Sequence, residues 1–192
     1  MNNNYNYNKE KKSNSKLIWV LFILSFIFLF VSIKYSLSKL PNTNSITEIK
    51  GLLKDFKIKR GRRGGNFLTI KLNEYPEINF IIGSVSMSQI YYQEFVTENK
   101  LGDSISIFIE KHQYNRKILK SEKIPFPEKY LHKNNISIVE LHSKNTEYLS
   151  LNDYIKVNQN NNYLAIAFFG FLGLLMLLVG IKHLKYYNTK FR

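Results

Sequence analysis

Residues 57–65 read Lys57-Ile58-Lys59-Arg60-Gly61-Arg62-Arg63-Gly64-Gly65, five basic side chains against a glycine-bearing turn. Cations at this density neutralise anionic groups. Lys57, Lys59, Arg60, Arg62 and Arg63 would suit the phosphates of a nucleic acid, with counterion release driving affinity, or anionic lipid head groups, at about 1 kcal/mol per basic residue. The plain alternative is a solvated hairpin tip whose glycines supply positive φ. Histidine offers less: His112, His132, His142 and His183 show no metal-ligand spacing, and no cysteine exists to complete a zinc set. Metal and cofactor are therefore expected to be none, and no phosphate loop, dinucleotide fingerprint or nucleophile elbow is present.

Ser86-Met87, with Gly102-Asp103-Ser104-Ile105 downstream, resembles the membrane-anchored Ser/Lys signal peptidases. They carry a Ser-Met pair closely followed by proline, and later a lysine-bearing strand with a Gly-Asp turn. The resemblance implies Ser86 as nucleophile and Lys111 or Lys117 as base. This chain departs from the pattern. Ser88 and Gln89 follow in place of proline, the Gly-Asp pair comes far downstream, and neither lysine has a Lys-Arg-aliphatic context. The leading expectation is a non-enzymatic binding or scaffolding role, with a Ser/Lys hydrolase as the alternative.

The elements that would position these residues alternate with period two, the mark of half-buried strands. Phe56 and Ile58 alternate with lysines; Leu68, Ile70 and Leu72 with Thr69 and Lys71; Ile105, Ile107 and Ile109 with serines. Ile78, Phe80 and Ile82 follow the Tyr75-Pro76 turn, and Ile136 and Ile138 flank Ser137. Met87, Ile90, Tyr91 and Phe95 recur at helical spacing, with Gly102 as a stop. The order β-β-β-α-β-β resembles the OB-fold in element order, which implies a small, partly open barrel. A generic small sheet with one helix gives the same string.

Two runs without charge, 17–33 and 163–181, flank that domain. A hydrocarbon core of about 30 Å needs roughly 17–25 apolar residues as helix, because lipid offers backbone groups no other partner. The expected class is a membrane α+β protein, two transmembrane helices flanking a small β-rich, OB-like extracytoplasmic domain. The expected segments are a disordered basic tail 1–16, spans 17–36 and 163–181, the domain 40–162 and a basic tail 182–192. The first run is too long for a signal h-region, and only Ser36-Leu37-Ser38 approaches a cleavage site.

Lys9, Lys11, Lys12 and Lys16 precede the first span, and Lys182, Lys185, Lys190 and Arg192 follow the second. By the positive-inside bias both termini are cytoplasmic and the domain outside. The chain carries 28 basic and 14 acidic residues, and its Asn-, Lys- and Ile-rich composition points to a bacterial cytoplasmic membrane. The partners expected are the lipid bilayer, then anionic head groups or an acidic protein or glycan. Nucleic acid requires the inverted topology. Asn135-Ile136-Ser137 is a glycosylation sequon, relevant only in a eukaryotic secretory route.

Small residues form two stripes: Ser25, Ser32 and Ser36 on the first span, Gly170, Gly173 and Gly180 on the second. Such stripes let helices approach closely, with serine hydroxyls bonding across. They predict an antiparallel hairpin or, alternatively, a homo-oligomer through the second span. Ser150-Leu151-Asn152-Asp153 reads as a capping box. It opens either a long rigid helix or a single turn before the loose 158–162 run; the poor helix propensity of asparagine favours the single turn.

Overall fold

Leu68, Ile70, Leu72, Phe80, Ile82, Ile107, Ile109, Ile136 and Ile138, the inward positions of the alternating segments, are all fully buried in one core. The structure, a computed structural model, describes residues 2–61 and 64–190. It is α+β, with a six-stranded sheet and two helices long and apolar enough to cross a membrane. The chain divides into two compact units, one comprising Leu40–Gln159 and the other the flanking helical segments.

In the central unit the strands are β1 (Ile46–Arg60), β2 (Asn66–Leu72), β3 (Asn79–Ile82), β4 (Ser104–Glu110), β5 (Asn135–Ser143) and β6 (Thr146–Leu149). Their order is β3-β2-β1-β4-β5-β6. β1 pairs antiparallel with β4 through Leu52 and with β2 from Leu53 onward, with a register shift between Leu53 and Asp55. One long bent strand thus serves both halves of the sheet, where the sequence shows alternation only around Phe56 and Ile58. A parallel pairing of Asn79–Ile81 with Asn135–Ser137 joins β3 to β5 and closes the sheet on itself. The Asn79 side-chain amide donates to Asn135 Oδ1 at 3.1 Å across that seam.

Helix α2 (Tyr92–Glu98) lies between β3 and β4 in sequence, and its Phe95 enters the core edge-on to Tyr148 and to Phe56, at 5.2 and 5.5 Å. Each such buried side chain contributes about 1.5–3 kcal/mol relative to exposure. The link from β4 to β5 contains the short α3 (Lys111–Gln113), a π-turn (Tyr114–Ile118) and α4 (Glu128–Leu131). β6 was not legible in the sequence: only Tyr148 and Leu149 of its four residues are buried.

The helical unit contains α1 (Asn2–Ser36) and the membrane-length part of α5 (Leu151–Lys190). Helix α1 begins at Asn2, so the segment expected as a disordered tail is helical; extending an existing helix needs no new nucleus. Helix α5 likewise runs unbroken through 158–162, against the single turn favoured above. Ser150 caps it, accepting from the Asp153 N–H at 3.0 Å and donating to Asp153 Oδ2 at 2.7 Å. Asn158 is then held by donating to Tyr154 O at 2.8 Å and to Ser86 Oγ at 3.1 Å, which offsets its weak propensity.

Candidate binding cleft

The turn between β1 and β2 closes through Gly61 N–H to Gly65 O at 2.7 Å and Gly64 N–H to Gly61 O at 3.0 Å. Gly64 has φ +85°, and a Cβ at Gly65 would stand 2.8 Å from Ser84 Cβ. One glycine is required by conformation and the other by close approach. Of the predicted basic set, Lys59 and Arg60 are exposed, and Lys57 pairs with Asp55 at 3.1 Å. Arg62 and Arg63 lie outside the described residues.

This turn forms one wall of a cleft of about 700 Å³. Phe67 of β2, Ile81 of β3 and Ile136 of β5 line its apolar side, and Gln113, Lys117 and His132 of the β4–β5 link face them. Lys117 fixes that link. Its side chain is only 2% exposed, its ammonium pairs with Glu128, and it donates to the carbonyls of His132 and Asn135. Gln113 Oε1 also accepts from Ser137 N–H at 2.9 Å.

Beyond Lys117 the link turns outward. Phe126, Tyr130 and Leu131 are 83%, 74% and 67% exposed. Lys120, Lys123, Lys129 and Lys133 border a second hollow of about 810 Å³ beside Tyr75 and Pro76. The link's two carboxylates are engaged, Glu122 with Arg116 at 3.4 Å and Glu128 with Lys117. Those four lysines have no ion pair among the described residues. Sequence reasoning missed this basic, aromatic surface because it lacks periodicity. The signal was composition: six basic residues in 116–133 with Phe126, Tyr130 and Leu131 interleaved.

The residues of the hydrolase reading have other partners. Ser86 is buried and its hydroxyl accepts from Asn158 Nδ2, Lys111 Nζ donates to Asn44 O at 2.7 Å, and Lys117 is bound as described. Gly102 and Asp103 brace β1, exchanging backbone hydrogen bonds with Leu53 at 2.8 Å. The Lys100 N–H, and then the Lys144 ammonium, hold the Asp103 carboxyl below its ordinary value.

His112 sits 3.3 Å from Glu110, and His142 lies on the β5–β6 hairpin among Glu140 and Glu147. Burial pushes the Glu140 carboxyl up, and the charges of Glu147 and Glu48 add to it against the opposing His142.

Within the helical unit Ser25 Oγ donates to Gly173 O at 2.8 Å and Ser32 Oγ to Ile166 O at 3.1 Å, an antiparallel arrangement. Cβ atoms at Gly170, Gly173 and Gly180 would meet Ser32, Leu29 and Phe22 respectively, so this glycine face is covered by α1. Ser36 is exposed and takes no part.

No protein-family model matches this chain, and no curated protein matches its sequence.

Proposed function

We propose that the chain is a two-pass integral membrane protein whose central domain is an OB-type barrel acting as a non-enzymatic binding module for an anionic partner. Membrane insertion is supported by the helical unit, where Trp19, Phe30, Phe171 and Leu178 are each more than 60% exposed. Lipid accommodates such side chains without cost and water does not. The basic outer flanks support cytoplasmic termini and an outward domain.

The OB-type reading is supported by the strand cycle β1-β2-β3-β5-β4, with a helix between β3 and β4 in sequence. In such barrels the face of strands two and three, between the first turn and the β4–β5 link, takes extended ligands.

The observation that carries the binding role is the exposed surface of the β4–β5 link, whose lysines border the hollow beside Tyr75 and Pro76. Anionic lipid head groups suit it best, because exposed Phe126, Tyr130 and Leu131 accompany Lys120, Lys123, Lys129 and Lys133. A membrane surface takes cations and apolar side chains together.

The test uses the full chain in nanodiscs of neutral lipid, presented with vesicles of neutral or anionic phospholipid. Anionic vesicles should be captured in a salt-sensitive way, and Lys120→Glu/Lys123→Glu/Lys129→Glu should reduce capture at least about tenfold. Equal capture of neutral vesicles, or stronger binding to an acidic glycan or a single-stranded oligonucleotide, would refute the assignment to lipid.

A further inference from the structure

The β5–β6 hairpin sets His142 directly opposite Glu147 in register, and Glu140 two residues earlier on the same face of β5. His142 Nε2 stands 2.8 Å from Glu140 Oε1 and 3.5 Å from Glu147 Oε1, and the three ligand atoms lie within 4.8 Å of one another. Ligands held about 2.0–2.2 Å from one tetrahedral cation are separated by roughly 3.4 Å, so these spacings bracket that value.

The imidazole nitrogen is the informative atom. It is shut off from solvent, and the carboxylate oxygens at 2.8 and 3.5 Å leave it without a well-aligned hydrogen bond. A plain His–Glu pair would align that bond.

Orientation of the ring is also built in. Phe108, paired with Glu140 across β4 and β5, holds its ring 5.2 Å from that of His142. Glu48 lies opposite Phe108 on β1, adding a third carboxylate to a patch of negative charge in a strongly basic chain. A hollow of about 470 Å³ lined by Glu140, Glu147 and Asp153 opens beside the group.

We propose that Glu140, His142 and Glu147 form a binding site for a divalent transition cation, zinc by preference, whose remaining coordination position faces this hollow. One imidazole with two carboxylates favours zinc over the all-oxygen sets that calcium and magnesium take. Because the ligands come from both strands of the hairpin, the ion would fasten β6 to β5. No cysteine competes for it.

The experiment adds Zn²⁺, and separately Co²⁺ as a coloured reporter, to the full chain in detergent after chelator treatment. The expected result is uptake of one equivalent, a low-coordinate Co²⁺ spectrum, and a melting temperature raised by Zn²⁺. His142→Gln should abolish the spectrum and the shift, and Glu147→Gln, at a half-exposed position, should weaken affinity roughly tenfold or more. His112→Gln should change nothing. Absence of saturable uptake, or uptake unchanged in both His142→Gln and Glu147→Gln, would overturn the site and leave an ordinary ion pair.

Discussion

Lys117 and Glu128 are joined by an ion pair in which the lysine side chain is 2% exposed and the carboxylate 28%. Eleven residues apart on an irregular link, they tie the π-turn to α4, and the lysine also binds the chain entering β5 through Asn135 O. The cleft wall opposite the glycine turn therefore depends on this contact. Removing one partner of a buried pair strands the other, whereas replacing both can be neutral.

The first prediction follows from that asymmetry. Lys117→Met should destabilise the central domain by about 2–4 kcal/mol, toward the lower side of the range for buried pairs because Glu128 is part-exposed. Lys117→Met/Glu128→Leu should recover most of the loss. Urea unfolding curves of the single and double variants decide it, and a double variant as unstable as the single would refute the pairing account.

At the turn, Gly65→Ala would place a methyl group 2.8 Å from Ser84 Cβ, forcing the β1–β2 turn away from the cleft. Overpacking of this kind costs about 1–3 kcal/mol. Ser84→Gly introduced alongside should relieve it. Thermal melts of the two variants read the rescue, and no rescue would mean that the close approach is not what requires glycine.

In the helical unit, leucine at Gly173 would collide with Leu29 Cγ at 2.8 Å and crowd the Leu29 backbone nitrogen at 3.2 Å. Ser25→Ala removes one hydrogen bond worth roughly 0.6–1.7 kcal/mol. Gly173→Leu should therefore lower thermal stability in detergent more than Ser25→Ala does. Equal effects would argue against tight helix contact there.

Acid should expose the role of Asp103. Its folded-state pKa is held below the ordinary 3.8, chiefly by the Lys100 N–H and then by Lys144. A depressed carboxyl contributes stability that is full above 3.8 and disappears as pH falls through the lower folded value. The melting-temperature gap between the native chain and Asp103→Asn should thus be constant near neutrality and shrink as pH falls from about 3.8 through that window. A gap independent of pH would show that the charge contributes nothing.

Much of the fold was legible in the chain because it is written locally. Two uncharged runs specify helices of membrane length. Alternation at Leu68, Ile70 and Leu72, and at Ile105, Ile107 and Ile109, specifies strands with one buried face, since successive side chains must point to opposite sides. The Gly61–Gly65 turn also reads directly, from the conformational needs of its glycines.

What only the folded chain decided depends on residues remote in sequence. The parallel seam of Asn79–Ile81 with Asn135–Ser137 joins segments more than fifty residues apart, and no local pattern encodes that partner. β6 and the continuous α5 override weak local preferences through tertiary contacts, Tyr148 with Phe95 and Asn158 with Ser86. Both chemical clusters are likewise invisible to linear spacing. Lys117 meets Glu128 only where the β4–β5 link folds back, and His142 meets Glu147 only through hairpin register. Period and composition select elements, because they act over a few residues; which charges meet is set by strand register and by how the links fold back.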